Sequence, residues 1–244
     1  MVPLDPGEIV SWAGRQTLLK RGAESEIRLG TFMGLKAILK LRVKKPYMHP
    51  TLAERIVSAR TRREAKVMVE ARSAGVNAPL LYAVFPSAGL IIMEYVEGPL
   101  LKDYVGREGW RSFFREAGAQ LGRLHAAGIV HGDPTTSNYI VSKGGLYLID
   151  YGLSAFTRDV EERAVDLHLF RRAVEATHAG VASDAFKAFI EGYRSVMGGE
   201  ADAVEERARE IALRGRYVEA RRSVWGGVGE DEGEQAIHGN GEQA

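Results

Sequence analysis

Two short polar segments, each attached to an apolar run, constrain this chain more than any other feature. Residues 131–138 (His-Gly-Asp-Pro-Thr-Thr-Ser-Asn) lie between a predicted helix and a predicted strand and therefore form a loop. Residues 150–152 (Asp-Tyr-Gly) follow directly on the next apolar run. Because Asp133 and Asn138 are five positions apart on a loop, we expect their side chains to converge on one point.

The residue types in these loops are those that phosphoryl transfer requires. One carboxylate orients the acceptor hydroxyl and takes its proton, and Asp133 is the candidate for this role. Asn138 and Asp150 offer oxygen ligands of the kind that a hard cation such as Mg²⁺ prefers. Alternatively, each aspartate could be a turn residue whose carboxylate bonds to its own backbone. The combination of all three at this spacing favours the catalytic interpretation.

The composition excludes several other chemistries. The length of 244 residues suffices for one two-lobed catalytic unit with a sizeable core. There is no cysteine, which excludes disulfides, cysteine-ligated zinc, iron–sulfur clusters and thiolate catalysis. The first residues lack the basic-then-apolar pattern of a secretion signal, and no apolar run reaches the roughly 20 residues of a membrane span. We therefore expect a soluble, cytoplasmic protein with no membrane partner.

The apolar pattern predicts an α+β chain with two segregated halves. Glycine-punctuated runs from about Leu18 to Val43 predict antiparallel strands. Thr51 is predicted to cap the N-terminus of a helix that ends near Ala74, with Glu54 completing a capping box. Further elements are predicted at residues 90–93 (strand), 111–127 (helix), 139–141 and 146–149 (strands) and 159–217 (helical).

The two polar loops resemble the catalytic loop and the magnesium loop of protein kinases. The resemblance implies a protein-kinase-like bilobal fold with a mainly β N-lobe over residues 1–95 and a minimal helical C-lobe over residues 96–225. It also implies that ATP and Mg²⁺ are the cofactors. Asp133 would then be the catalytic residue, and Asn138 and Asp150 would be metal ligands.

The N-terminal half holds candidates for the nucleotide-binding parts of a kinase. The resemblance implies that Lys40 pairs with the ATP phosphates and with Glu64, a carboxylate on an apolar helix stripe that needs a partner. Alternatively, Glu64 could pair with Arg60 or with neighbours on the Met68 side of the helix surface. The backbone of Glu94 and Val96 is implied to bond the adenine edge, as at a kinase hinge.

Departures from the conventional kinase pattern narrow the interpretation. Gly22 and Ala23 stand where the phosphate-covering loop is expected, but this segment has one glycine instead of Gly-x-Gly-x-x-Gly. Its backbone N–H groups could still face phosphate. Gly132 replaces an arginine that would pair with a phosphorylated activation loop, which argues against that form of control. No proline follows Pro134, so the Ala-Pro-Glu signature of a conventional activation segment is absent.

More of the chain resembles one family, the small atypical kinase subunit of the KEOPS (EKC) complex. The match extends over roughly residues 18 to 217, and its most specific element is the Asp-x-Thr-Thr-Ser-Asn loop. The segments that carry it are Arg21–Glu24, Lys45–Pro50, Arg60–Ala65, Met93–Gly98, His131–Asn138, Ile149–Ser154, Glu162–Leu167 and Leu213–Arg216.

This resemblance implies a function within an assembly. The family acts as an ATPase and Ser/Thr kinase in a complex that makes threonylcarbamoyl-adenosine in tRNA, and it docks on the threonylcarbamoyl-transferase subunit. The other KEOPS subunits are implied partners as well. Asp166 is implied to anchor the backbone of the catalytic loop from a C-lobe helix, although it could also be a plain surface helix residue.

Charge is distributed unevenly, although the net charge is only +1. The stretch Lys36–Lys66 holds ten basic residues and two acidic ones. It suits tRNA or an acidic partner surface, or else it is a solvated helix face joined to the ATP-phosphate lysine. Residues 226–244 contain five acidic residues, six glycines and no Lys or Arg, which predicts a disordered acidic tail.

Two other functions are alternatives. A small-molecule kinase of the aminoglycoside or choline type shares the His-Gly-Asp loop, but the short C-terminal half leaves no room for the helical insertions that usually build its substrate pocket. A pseudokinase that only scaffolds the complex is the non-enzymatic alternative. The presence of Lys40, Glu64, Asp133, Asn138 and Asp150 argues against it.

Overall fold

The computed structural model describes residues 5–43 and 49–226, with the backbone alone for residues 215–226. Strands dominate the N-terminal half of this range and helices the C-terminal half, as the sequence pattern predicts. The predicted acidic tail, apart from Gly226, lies outside the described residues. No helix in the described ranges is long and apolar enough to cross a membrane.

A five-stranded antiparallel sheet forms the N-terminal half. Its strands run in the spatial order β1-β2-β3-β5-β4, with bounds Thr17–Arg21, Ser25–Phe32, Leu35–Arg42, Leu81–Phe85 and Leu90–Glu94 for β1 to β5. Alternate residues of a strand face opposite sides of the sheet. On β3, the buried Ala37, Leu39 and Leu41 join one apolar cluster, so Lys40 and Arg42 both point to the other face.

One helix of this half is absent from the sequence-based prediction. The helix α1, Pro6–Gly14, packs Ile9 and Ala13 against the apolar face of the sheet. The carboxylate of Asp5 caps it by accepting from the backbone N–H groups of Gly7 and Glu8. An Asp followed by Pro is the pair preferred at the N-cap and first helical positions, so the sequence did carry a signal for it.

The helix α2, Pro50–Ser73, begins differently from the prediction. His49, and not Thr51, is the N-cap residue, and no side chain caps this end. The predicted capping box of Thr51 and Glu54 is therefore wrong. Proline has a backbone angle already set for the first helical turn, so the helix starts at Pro50 and Thr51 falls inside it.

Helices build the C-terminal half around the main apolar core. They are α3 (Trp110–Ala126), α4 (Val160–Thr177), α5 (Ala182–Met197) and α6 (Glu200–Gly226). The helices α3 and α5 cross closely, because a Cβ atom on Gly118 would lie 1.8 Å from the carbonyl oxygen of Phe189. Gly192 meets the carbonyl oxygen of Arg115 in the same way.

Two small strand pairs carry the polar loops on this helical base. The strands β7 (Tyr139–Ser142) and β8 (Gly145–Leu148) form a hairpin, while β6 (Ile129–Val130) pairs with β9 (Ala155–Phe156). The N–H of Leu148 donates to the carbonyl of Asn77 at 2.9 Å, which joins this hairpin to the segment between α2 and β4. The two halves therefore meet beside the polar loops.

Candidate active site

The catalytic-loop candidates Asp133 and Asn138 are in direct contact. They lie in the loop between β6 and β7, and the Nδ2 group of Asn138 donates to the carbonyl oxygen of Asp133 at 2.8 Å and to its Oδ2 at 2.9 Å. Burial raises the pKa of Asp133, although the hydrogen bond from Asn138 opposes the shift. These bonds do not use the amide oxygen of Asn138, which remains available as a ligand.

Asp166 holds the backbone of this loop from α4. Its carboxylate is only 1% exposed and accepts from the N–H of His131 at 2.7 Å and from the N–H of Gly132 at 2.8 Å. A third contact joins it to Nε2 of His125 at 3.1 Å. Asp166 is therefore the anchor that the family resemblance implies, and the alternative of a plain surface residue is wrong.

Gly132 has a steric reason to be a glycine. Its φ is +83°, in the left-handed region that other residues rarely adopt, and a Cβ atom there would lie 2.7 Å from the carbonyl oxygen of Leu153. The arginine that conventional kinases carry at this position cannot be accommodated without moving the segment at Leu153.

His131 connects the two polar loops, a role that sequence reasoning missed. Its Nε2 lies 3.2 Å from the carbonyl of Ile149, and its Nδ1 lies 3.3 Å from the N–H of Asp133. A neutral ring with the proton on Nε2 satisfies both contacts. Burial lowers the pKa of His131 and so favours this neutral form. No sequence pattern indicates this bridge, because both of its partners are backbone groups.

Asp150 stands at the mouth of the site on a strained backbone. Its φ is +64°, and its side chain is 53% exposed. The carboxylate accepts from Nζ of Lys40 at 2.6 Å and from the N–H of Gly152 at 3.3 Å. Burial alone would raise the pKa of Asp150, but the ammonium of Lys40 outweighs this effect and lowers it.

Lys40 and Glu64 form the buried pair expected between β3 and α2. Nζ of Lys40 lies 2.5 Å from Oε1 of Glu64, whose side chain is 2% exposed. Burial disfavours the charged lysine, but the carboxylates of Glu64 and Asp150 outweigh it and raise the pKa of Lys40. The alternative pairing of Glu64 with Arg60 is wrong, because Arg60 donates to Glu24 instead at 2.9 Å.

Arg42 is a second partner of Glu64 that sequence reasoning missed. Its Nη2 lies 2.5 Å from Oε2 of Glu64, and its side chain is almost completely buried. The signal for it was the two-residue period of β3, which places Arg42 on the same face as Lys40.

A cleft of about 330 Å³ between the two halves brings most of the predicted residues together. It includes Lys40, Glu64, Asn138 and Asp150, together with the hinge candidates. Apolar side chains form much of its wall, namely those of Leu19, Ile27, Ile38, Met93, Val96 and Ile140, and Glu94 also lines it. Asp133 borders the cleft through its contact with Asn138. The cleft therefore combines an apolar slot with a charged end.

Gly22 and Ala23 are not part of the cleft lining. They lie in the turn between β1 and β2, and the N–H of Gly22 donates to the carbonyl of Ser25 at 2.8 Å. That amide closes the hairpin, so it is not presented to the cleft as the sequence had suggested.

The basic stretch divides into two parts in the structure. Lys40 and Arg42 are buried against Glu64, and Arg60 pairs with Glu24. Within the described part of this stretch, three exposed arginines make no ion pair, namely Arg55, Arg62 and Arg63 of α2. The basic character therefore serves both the cleft and one outer helix face.

Known proteins resemble this chain in sequence and in fold. The RIO domain profile matches residues 36–176. KEOPS complex subunit Bud32 of Pyrococcus abyssi is 42% identical over 212 residues, which is 83% of this chain and 96% of that protein. A probable bifunctional tRNA threonylcarbamoyladenosine biosynthesis protein of Methanothermobacter thermautotrophicus is 39% identical over 83% of this chain and 37% of its own length.

Two solved structures share the fold at low sequence identity. Rio2 kinase of Chaetomium thermophilum, in a complex with ADP, Mg²⁺ and phosphoaspartate, superposes with a TM-score of 0.57 at 14% identity, over 85% of this chain and 76% of that one. WaaP in complex with acyl carrier protein also gives 0.57, at 15% identity over 86% and 92%. Both likenesses concern the fold alone.

The chain thus combines a kinase-like fold with a cleft lined by lysine, asparagine and aspartate, and it matches the RIO domain profile. The chain belongs to the RIO-domain family and, within it, to the family of the KEOPS subunit Bud32. The small-molecule phosphotransferase alternative is not favoured. The chain spans just over a third of the bifunctional relatives that it matches.

Proposed function

We propose that this chain is an ATP- and Mg²⁺-dependent phosphotransferase, a Ser/Thr kinase with ATPase activity, that works in a KEOPS complex. One observation carries the proposal: Lys40, Asn138 and Asp150 line a single cleft with an apolar slot, and Asp133 touches its edge through Asn138. Bound ATP and Mg²⁺ would supply the transferable phosphoryl group and neutralise its charge.

The apolar part of the cleft suits a purine base. Ile38 and Ile140 would enclose its faces, while the backbone of Glu94 and Val96 would bond its edge. The side chain of Glu94 already accepts from the N–H of Leu80 at 3.0 Å, so the hinge backbone is held in place. We do not extend nucleotide binding to Gly22 and Ala23, because the Gly22 amide is used within the hairpin.

The charged end of the cleft suits phosphates and a divalent cation. Asp150 and the amide oxygen of Asn138 are the ligands we assign to Mg²⁺. Lys40 would exchange its contact with Asp150 for the phosphates. Asp133 would orient the attacking hydroxyl or water and accept its proton, a role that its raised pKa assists.

A KEOPS role is supported by the relatives' names. We propose that the chain docks on a threonylcarbamoyl-transferase subunit and assembles with the other KEOPS subunits in the cytoplasm. The bifunctional relatives support this partnership, because the chain matches just over a third of each one and leaves a long remainder. ATP turnover would then support tRNA modification, with protein phosphorylation secondary.

The enzymatic proposal is tested by Mg²⁺-dependent ATP turnover of three variants. Asp150→Ala should abolish turnover, because it removes a metal ligand. Asp133→Asn should bind ATP like the wild type but lose about 10²-fold or more in turnover, because it removes the proton acceptor. Asp184→Asn, an exposed aspartate on α5, is the matched control and should behave as wild type. Absence of turnover in the wild type, alone or with the transferase subunit, would favour the scaffold.

The exposed arginines of α2 support tRNA as a direct partner. Reversing Arg62 and Arg63 to Glu should weaken tRNA binding and flatten its dependence on salt, because fewer counterions are released. Reversing the exposed Lys143 and Lys187 in the same chain is the charge-matched control. Equal salt slopes for the two double variants would remove the α2 face as a tRNA site.

A further inference from the structure

A chain of ion pairs continues from the Lys40–Glu64 pair to the surface of the N-terminal half. Glu64 is shared between Lys40 on Oε1 and Arg42 on Oε2, both at 2.5 Å. Nη1 of Arg42 lies 3.9 Å from Oε2 of Glu24, which also accepts from Arg60 at 2.9 Å. Charges alternate along the whole path, and its members come from β3, α2 and the turn between β1 and β2.

Glu24 ties that turn to its surroundings through backbone as well as side chain. Its carbonyl accepts from the N–H of Val43, just beyond β3, at 3.0 Å, while its carboxylate reaches α2. The strands on either side of the turn contribute Leu19 and Ile27 to the cleft. The anchored turn therefore belongs to the hairpin that forms one wall of the nucleotide cleft.

Among the described residues, two carboxylates hold the guanidinium of Arg42. Its Nε is buried and has no hydrogen-bond partner among the described residues, so its position depends on the two carboxylates at its Nη groups. Glu64 in turn is too deeply buried to be left with no cation, because an unpaired buried charge is strongly destabilising. With Arg42 in place, the charge of Glu64 is shared between two cations and does not fall on Lys40 alone.

We propose that Arg42 and Glu24 are positioning residues for the nucleotide site. Arg42 shares the charge of Glu64, so that Lys40 can exchange Asp150 for the phosphates while it keeps its bond to Glu64. Glu24 joins the hairpin wall to α2 through Arg42 and Arg60. This chain of ion pairs thus takes the place of the glycine-rich loop of conventional kinases. It holds the hairpin wall of the cleft at a fixed position relative to Lys40. The inference rests on the proposed ATP-dependent function.

The inner part of the chain is tested with Arg42→Met and Arg42→Lys in the full-length protein. Arg42→Met should raise the KM for ATP about tenfold with a smaller change in kcat, because Glu64 then competes with the phosphates for Lys40. Arg42→Lys should recover a large part of the loss, since one ammonium still serves Glu64. A structural defect alone would lower the active fraction, and so kcat, without this split.

The outer part of this chain of ion pairs, Glu24 and Arg60, is tested with a double-mutant cycle. Both side chains are exposed, so their removal should leave folding intact. Glu24→Gln and Arg60→Gln should each raise the KM for ATP about threefold, and the double variant should match the single ones. Arg21→Gln is the control, because it removes an exposed ion pair to Glu26 in the same hairpin. Its KM should be that of the wild type.

The outcomes separate this inference from the proposed function. If the wild type and Arg21→Gln turn over ATP while Arg42→Met and the Glu24–Arg60 cycle show wild-type KM values, the inference is wrong and the proposed function stands. If the wild type neither binds Mg²⁺-ADP in a calorimetric titration nor turns over ATP, the proposed function itself is wrong. If Arg42→Met fails to fold, the Glu24–Arg60 double-mutant cycle alone tests the proposal. Effects on the KM for ATP that are additive or absent would then overturn it.

Discussion

The two sides of the cleft are held together in different ways. On the C-terminal side, one buried carboxylate, Asp166, accepts backbone N–H groups of His131 and Gly132. On the N-terminal side, Lys40 is held by side-chain ion pairs to Glu64 and Asp150. The anchored N–H groups and Asp166 are not part of the cleft lining, whereas a lysine between two carboxylates can exchange one of them for a phosphate.

This contrast assigns different duties to the two sides. The loop that carries Asp133, the carboxylate we propose as catalytic, is held in place by protein contacts alone, which lowers the cost of orienting a reacting group. The lysine side is arranged to respond to the ligand, because its contacts at the cleft are ion pairs between side chains, and a ligand's negative charge can replace one of the carboxylates. Substitutions on the C-terminal side should therefore destabilise the fold, whereas substitutions on the N-terminal side should weaken ligand binding.

Asp166→Ala should have the largest effect, because it removes the carboxylate that anchors the loop on the C-terminal side of the cleft. The N–H groups of His131 and Gly132 and the ring of His125 would lose a buried partner together. We expect a loss of about 3–5 kcal/mol in unfolding free energy, since each buried donor left unsatisfied is costly. Urea unfolding measures it. A loss below about 1 kcal/mol would contradict the idea that one carboxylate holds the loop.

The second largest effect is expected for Lys40→Met on the N-terminal side of the cleft, where folding should be largely retained. Glu64 keeps its bond to Arg42, and a methionine of similar length fills the space, so the unfolding free energy should change by no more than about 1–2 kcal/mol. ATP affinity should fall at least about tenfold, because the phosphates lose their cation. Calorimetric titration and urea unfolding of one preparation test both parts. A loss of stability as large as that of Asp166→Ala would erase the contrast.

Sequence reasoning reached the parts of the site whose geometry follows from local periodicity. Asp133 and Asn138 share a loop, Lys40 ends its run on a predicted strand, and Glu64 lies on an apolar helix stripe. Each position is therefore fixed by its own element. The order of strands and helices followed from glycine punctuation and apolar spacing in the same way.

The parts that sequence reasoning missed depend on contacts between distant elements. Whether Glu64 would choose Lys40, Arg42 or Arg60 depends on how α2 packs on the sheet, and no local pattern specifies that packing. The contacts of His131 are to backbone groups, which every residue possesses. The start of α2 carries two local signals, a capping box at Thr51 and a proline one residue earlier, and the helix follows the proline, whose backbone angle is already set.

Tyr151 lies where the two sides meet and should show the smallest effect. Its ring packs 5.2 Å from that of His131, but its buried hydroxyl has no hydrogen-bond partner within the described residues. Tyr151→Phe should therefore leave ATP turnover unchanged and keep or raise the unfolding free energy, by up to about 1 kcal/mol, because an unsatisfied polar group is removed.

Tyr193→Phe, on the C-terminal side of the cleft, is a matched control for Tyr151→Phe. The hydroxyl of Tyr193 contacts Nδ1 of His125 at 2.8 Å, and His125 in turn contacts Asp166. Tyr193→Phe should therefore cost about 1 kcal/mol in unfolding free energy, whereas Tyr151→Phe should not. A comparable loss in both variants would mean that the Tyr151 hydroxyl has a partner, such as a buried water, and that the boundary between the two sides is also held by hydrogen bonds.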